Sequence, residues 1–335
     1  MIAAGPAALA ARVSMLSVVL TSYNYARFLP AALAALAAQT RSPDELIVID
    51  DASSDDSVAV ILSFLDRFAD ARLVRNPGNL GTIANLNRGL ELARGDIVYF
   101  AAADDVTYPR LLETGMALLA ANPAAGLFSA RSDIIDADGR VTGTIATSLP
   151  LRRPGFIAPA AAARVLMRDD NWLTGNTTLY HRDRLIARGG YVPELGSFCD
   201  GYVSRLLALR HGACFSPEIL GAWRRLEGGY AWSQTADLAR VRELVAAVEH
   251  RMAADAAYFP SGYARRWAGR FVFGARRFGL IQRRQAAAAR GHAAGIRARL
   301  REIVTTLWLF ATLRPWDAVA VVRRRLTIRL RRRRA

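Results

Sequence analysis

The ordered pattern begins with a short apolar run, Leu16–Thr21 (LSVVLT), whose length and β-branched residues predict a buried strand. A polar stretch, Ser22–Tyr25 (SYNY), follows as a loop. Phe28–Gln39 then carries Ala and Leu at helical spacing, with Pro30 in a first-turn position. Glu45–Ile49 (ELIVI) predicts a second buried strand, ending at Asp50-Asp51. Ser53–Phe68 predicts a helix with Ser54 as N-cap and acidic residues in its first turn. Ala71–Arg75 reads as a third strand and Asn76–Gly81 (NPGNLG) as a turn-rich loop. Thr82–Ala93 reads as a helix closed by Gly95, and Asp96–Ala101 as a fourth strand with Asp104-Asp105 just beyond it. Pro109–Ala121 is again helical.

Strands alternating with helices across short loops imply βαβ units and a parallel sheet with right-handed crossovers. Thr21–Tyr25, Asp50–Ser53 and Asp104-Asp105 then all follow the C-terminal ends of strands, where open α/β sheets bind ligands. From Gly126 to Trp223 the pattern is mixed. It contains a strand at Gly126–Ala130, a hairpin turn at Asp138-Gly139 within Ile134–Val141, a helix at Asp200–Arg210, and extended runs at Ala213–Pro217 and Ile219–Trp223. This reads as elaboration of the same sheet. From about Asp237 onward the pattern is helical.

Charge changes this picture in one place. The chain of 335 residues has a net charge of +16, and every cation is Arg. Residues 251–335 hold 21 Arg against three acidic residues, whereas residues 1–250 hold 24 against 26. The body is therefore close to neutral and the excess belongs to a basic C-terminal segment, which argues against a nucleic-acid-binding core. An Arg-rich chain without Lys also weakens Arg as a sign of phosphate recognition. Met1–Met15 lacks the basic start and apolar run of a secretory signal, and no stretch reaches the roughly 20 apolar residues that span a bilayer. Cys199 and Cys214 have no metal-site spacing and are too few for a disulfide framework, so they read as buried or free thiols.

Three carboxylate positions carry candidate chemistry. Asp50-Asp51 pairs two charges at a strand end, a repulsion that a ligand donor or a metal relieves; capping of the next helix is the alternative. Asp104-Asp105 offers oxygen ligands suited to Mg²⁺ or Mn²⁺, with capping plus a surface charge as the alternative. Asp200, flanked by small and aromatic residues, combines partial desolvation with a helix start, which suits either a general base or an N-cap. The four histidines, at 181, 211, 250 and 292, show no metal spacing. His181 lies near Gly175-Asn176-Thr177, and a structural role is the preferred reading for all four. Asp136, Asp138 and Gly139 lack the bidentate Glu of a calcium loop and read as a hairpin turn.

Together these segments resemble glycosyltransferase family 2, over roughly residues 15–228. The resemblance is carried by Ser17–Tyr25 with Phe28-Leu29 and Gln39-Thr40, by Ile49–Asp56 (IDDASSDD), and by Asn79-Leu80-Gly81. It continues through Asn87-Arg88-Gly89-Leu90, Ala93-Arg94-Gly95-Asp96 and Phe100–Pro109. It implies the GT-A fold: an α/β, Rossmann-like, mostly parallel central sheet flanked by helices. Residues 15–228 would form the transferase domain, with a nucleotide-sugar half at about 15–125 and an acceptor half at about 126–228. Residues 229–335 would form a helical, Arg-rich extension.

The resemblance implies an inverting transferase that uses a nucleoside-diphosphate sugar, UDP being the expected nucleotide. Thr21 and Tyr23 would flank the nucleoside. Asp51, with Asp50, would bond the base, and Asn79 and Gly81 would lie near the nucleotide. Asp104 would hold a divalent cation, Mn²⁺ or Mg²⁺, with Asp105 as a second ligand or support. Asp200 would deprotonate the acceptor hydroxyl, and Arg224, beside Trp223, would contact the diphosphate. One departure stands out: the family's Asp-x-Asp is here Ala102-Ala103-Asp104, so the first carboxylate is missing.

The remaining partners are expectations of the same reading: a glycan or lipid-linked acceptor in surface polysaccharide synthesis, and no nucleic acid. Ile303–Leu313, Trp308, Trp316, Arg323–Arg325 and Arg331–Arg334 combine apolar runs with dense Arg. That combination suits an anionic membrane surface or, alternatively, packing on the domain. The expected location is the cytoplasm, at the inner face of the cytoplasmic membrane. Two other readings compete: a catalytically weak relative serving as a binding subunit, which Ala102 favours, and a nucleotidyltransferase, which the absence of a Gly-rich basic loop after the first strand disfavours.

Overall fold

The computed structural model describes residues 14–289, apart from residues 146, 147 and 236, with side chains described as far as residue 276. The C-terminal apolar and Arg-rich segments singled out above lie outside these residues. Strands β1 (Leu16–Ser22), β2 (Glu45–Asp50), β3 (Ala71–Arg75) and β4 (Ile97–Ala102) alternate with helices α1 (Leu29–Ala37), α2 (Ser57–Leu62) and α3 (Thr82–Leu92). The short β5 (Val106–Thr107) and helix α4 (Leu111–Ala121) complete this half. Then come β6 (Leu127–Ile135), β7 (Val141–Ile145), β8 (Gly155–Ile157), α5 (Pro159–Arg168), β9 (Leu179–His181), α6 (Arg182–Ala187), α7 (Cys199–His211) and β10 (Ala213–Arg224). Helices α8 (Tyr230–Thr235), α9 (Leu238–Ala254) and α10 (Tyr263–Ala289) follow.

One sheet runs through the described residues in the order β3-β2-β1-β4-β9-β6-β10-β5, with β7 on β6 and β8 on β10. The first four strands are parallel, β1, β2 and β4 being buried and apolar and β3 lying half-buried at the edge, and β6 and β10 form a second parallel pair. Strand β9 is antiparallel to both β4 and β6 and joins the two halves. The fold is α/β, with helices on both sides of a central sheet. Two apolar clusters fill those faces, and α9 and α10 add Val241, Leu244, Val248 and Trp267 to the same cluster that holds Val19 and Ile47.

Several local expectations shift. The helix expected over Ser53–Phe68 is confined to Ser57–Leu62, followed by a 3-10 turn at Leu65–Arg67. Ser54 is not its cap. The Ser-rich segment spends its polar groups on the β1–α1 loop instead: Ser53 Oγ accepts from the Asn24 amide at 2.9 Å, and the Ser54 amide donates to Asn24 Oδ1 at 2.8 Å. Asp55 and Ser57 likewise accept from the amides of Ala26 and Tyr25. Gly95 is no left-handed cap either; a Cβ there would strike the backbone of Ser17 and Met15, so the glycine permits close packing. The strand expected at Gly126–Ala130 runs on to Ile135. The two extended runs after Ala213 are one strand, with a register shift between Ser216 and Ile219 where Pro217 interrupts the ladder. Cys199 and Cys214 are buried free thiols.

Candidate active site

The register of the parallel half brings the predicted donor residues to one edge. Thr21 pairs with Ala102 on one side and Ile49 on the other, and Ser22 pairs with Asp50. The C-terminal ends of β1, β2 and β4 thus lie abreast. Tyr23, just past β1, is 46 % exposed beside this edge.

Asp51 organises the loop after β3. Its Oδ1 accepts from Asn76 Nδ2 at 2.7 Å and the Leu80 amide at 2.8 Å, and its Oδ2 accepts from the Gly81 amide at 2.9 Å. Burial works against the charge, but these bonds outweigh it and hold the carboxyl below the usual aspartate range. Gly81 takes φ 86°, a conformation that suits glycine, and so turns its amide towards Asp51. Asn79 stays exposed on the same loop. Asp50 Oδ2 accepts from the Ser53 amide at 3.1 Å, while its Oδ1 and the neighbouring Ser22 Oγ are buried without a hydrogen-bond partner.

At the end of β4, burial pushes Asp104 upward, and Asp105 is pushed further by burial and by the charge of Asp104. Asp105 is turned inward, where its Oδ1 accepts the Arg224 amide at 2.8 Å. Arg224 is placed behind this pair. Its guanidinium donates to the carbonyls of Asp104 (2.7 Å), Asp136 (2.8 Å) and Ala137 (3.1 Å) and lies 4.9 Å over the Phe28 ring. The side chain therefore ties the strand exit to the β6–β7 hairpin. Tyr25 completes the surroundings; burial, then the charges of Asp104 and Asp105, lift its phenol to about 12.

This donor set suits a hard divalent cation. Two adjacent carboxylates share a buried site, and among the described residues no side chain donates a hydrogen bond to Asp104. Among the described residues no group of three or more His, Cys, Asp or Glu side chains is arranged to hold a metal ion, so a cation bound here would have Asp104, with Asp105 beside it, as its protein carboxylates.

Asp200 opens α7 on the other side of the β4 edge. Its Oδ1 accepts the Gly201 amide at 2.6 Å, and its Oδ2 faces Gly175, where any Cβ would collide with it. Burial raises its pKa, partly offset by that amide and by the Arg205 charge. The Gly175 turn is anchored on β6: Thr177 Oγ1 donates to the Ala130 carbonyl at 2.8 Å and Asn176 Nδ2 to Ser132 Oγ at 2.8 Å. Tyr99 on β4 reaches across to the Asn176 carbonyl at 2.9 Å. Beneath lies an edge-to-face aromatic group of Phe100, Tyr180 and Tyr191. These contacts tie the turn that faces Asp200 to β4 and β6.

His181 does not reach this edge. Strand β9 runs antiparallel to β4, pairing His181 with Ile97 at the opposite end, and burial pushes the imidazole down to about 4. Sequence reading passed over Tyr25, which lay in the noted polar loop, and over Arg205 and Asp170. Nothing in the local pattern marks those two, because their partners come from other helices.

A parallel half joined through the antiparallel β9 to a second, mixed half is an arrangement similar to GT-A glycosyltransferase structures. The S. aureus protein TarS, solved with UDP-GlcNAc, aligns with a TM-score of 0.59 at 15 % identity, covering 91 % of this chain and 83 % of that one. A Pyrobaculum calidifontis mannosyltransferase, solved with GDP-Man and Mn²⁺, gives 0.57 at 19 % identity, covering 94 % and 85 %. At these identities the likeness speaks for the fold. Residues 17–182 match the model of Glycosyl transferase family 2. An uncharacterized protein of Mycobacterium tuberculosis is 30 % identical over 63 % of this chain and 67 % of its own length. An uncharacterized glycosyltransferase of Nostoc sp. is 32 % identical over 40 % of this chain and 42 % of its own. The chain belongs to glycosyl transferase family 2.

Proposed function

We propose that this chain is an inverting glycosyltransferase that moves a sugar from a nucleoside-diphosphate donor, with UDP as the expected nucleotide, to a hydroxyl of a glycan or lipid-linked acceptor. The observation that supports this reading is that Asp104 follows β4 directly, while Asp200 faces the Gly175 turn, whose Asn176 carbonyl accepts from Tyr99 of the same strand. The Asp51-braced loop, with Tyr23 and Thr21 opposite it, would receive the nucleoside, and Asp50 would offer its unpartnered oxygen. Asp104, supported by Asp105, would hold a divalent cation such as Mn²⁺ or Mg²⁺, which would neutralise diphosphate charge. Arg224 acts from behind by fixing the Asp104 backbone.

Asp200 Oδ2 takes the proton of the acceptor hydroxyl, a task that its raised pKa favours near neutrality. The freed oxygen bonds to the anomeric carbon as the bond to the diphosphate oxygen breaks, and that electron pair leaves with the nucleoside diphosphate. A single displacement inverts the anomeric configuration. No helix among the described residues is long and apolar enough to cross a membrane. The Arg-rich C-terminal segment supports peripheral binding at the cytoplasmic face of an anionic membrane, consistent with a lipid-linked acceptor in surface polysaccharide synthesis. Cosedimentation with anionic against neutral vesicles tests that part.

Titration calorimetry of UDP and GDP, with and without Mn²⁺, into wild type and Asp104→Ala tests the donor site. Metal-dependent binding lost in the variant supports it. Absence of binding of either nucleotide sinks it and favours the binding-subunit alternative that Ala102 suggests.

A further inference from the structure

Four side chains form a buried charge network under the first turn of α7. Asp170, in the loop after α5, accepts from Arg205 Nε at 2.9 Å through Oδ1. Its Oδ2 accepts from the Tyr263 hydroxyl at 2.7 Å and from Arg270 Nη2 at 2.9 Å. Arg205 Nε also donates to the Tyr263 oxygen at 3.0 Å. Both Asp170 and Arg205 are almost wholly buried. An ion pair that deep earns little net stability over an apolar packing, so stability alone is a weak account of it.

The network's free end points at the candidate base. Arg205 Nη1 donates to the Gly201 carbonyl at 2.8 Å, while the Gly201 amide donates to Asp200 Oδ1 at 2.6 Å. Gly201 is thus gripped at both ends, by Asp200 on one side and the network on the other. A second connection runs through rings: Phe198, two residues before Asp200, packs edge-to-face on Trp267 at 5.3 Å and Phe271 at 4.8 Å. Tyr263, Trp267, Arg270 and Phe271 all belong to α10. These two links from the helix both lead to the segment 198–201.

We infer that Asp170, Arg205, Tyr263 and Arg270 are positioning residues for Asp200, and that α10 is thereby a working part of the transfer site. The inference rests on the reading of Asp200 as the base, and it concerns what sets that carboxylate's place and basicity. Other groups facing Asp200 are Cys199 on its own helix, Tyr180 and Tyr191 beneath it, and Tyr230 from α8. None of them is a cation, so the Arg205 charge is the one the network supplies.

The test is carbon-detected NMR titration of the Asp200 carboxyl in the full chain, assigned by its loss in Asp200→Asn. Removing the Tyr263 hydroxyl or the Arg270 bond to Asp170 loosens the network that holds Arg205. Tyr263→Phe and Arg270→Gln are each expected to raise the Asp200 midpoint by about 0.5, with UDP–Mn²⁺ affinity unchanged. Val248→Ala, a cavity in the same core away from the network, is expected to leave the midpoint in place. Folded variants whose midpoints stay within about 0.1 of wild type overturn the inference, as does an equal shift in Val248→Ala. Failure of the base reading shows separately, as Asp200→Asn retaining UDP release from UDP-GlcNAc.

Discussion

Asp105 Oδ1 accepts the backbone amide of Arg224 at 2.8 Å, across 119 residues of sequence. This bond fastens the last residue of β10 to the exit of β4, and the Arg224 guanidinium then clasps the Asp104 carbonyl and the β6–β7 hairpin. The candidate metal ligand is therefore positioned from the β6–β10 side of the sheet.

Arg224→Lys removes the planar fork while keeping the charge. With bonds to three carbonyls lost or weakened, UDP–Mn²⁺ affinity is expected to fall about tenfold by calorimetry. Unchanged affinity would show that the clasp on Asp104 has no bearing on ligand binding.

Gly175→Ala places a methyl group where Asp200 Oδ2 now lies. Displacing that oxygen is expected to lower kcat by about 100-fold with UDP affinity intact, since misplacement by about 1 Å costs that much. A variant with full turnover would argue that this oxygen does not meet the acceptor.

Asp51→Ala releases the amides of Leu80 and Gly81 and the Asn76 side chain together. Hydrogen exchange at Leu80 and Gly81 is expected to speed up markedly, and UDP affinity to drop about tenfold or more. Protected amides in the variant would show that the loop holds its shape without the carboxylate.

Glu45 gives a pH dependence of stability away from the site. Burial opposes its charge, but bonds from Ser17 Oγ (2.5 Å), the Arg94 amide (3.0 Å) and Arg72 (2.8 Å) prevail and pull the carboxyl down to about 2. A depressed folded pKa means that the unfolded chain binds the proton more readily. The stabilisation is complete above the ordinary value of 4.5 and is lost as pH falls towards about 2. Glu45→Gln is expected to lower the Tm by roughly 4 °C at pH 7, with the gap closing as the solution is acidified through that window. A gap independent of pH would rule out the ionised carboxylate as its source.

The parallel half was legible because β1, β2 and β4 are buried on both faces and its punctuation is local: Pro43, the Asn76–Gly81 loop, Pro109. The candidate carboxylates were legible because they follow those strands directly. Local signals failed where side chains serve distant backbone. Ser54 resembles a cap but serves Asn24, and Gly95 resembles a helix stop but makes room for Ser17. Strand β9 is three residues long and has no periodicity to show, yet it joins the halves. Asp170 and Arg205 lie 35 residues apart and meet Tyr263 and Arg270 only after α10 has packed. No spacing rule connects such partners.

The β6–β10 pairing has a consequence for biosynthesis. The donor-side strands are near neighbours in sequence, so their contacts can form while the rest of the chain is still being made. β10 pairs with β6 and β5, laid down long before it, and such non-local pairings close slowly. Until Arg224 emerges the Asp104 turn has no clasp, and until Tyr263 and Arg270 emerge the Asp200 turn has no anchor. Both turns therefore reach their braced form only once the C-terminal helices and strand have been made.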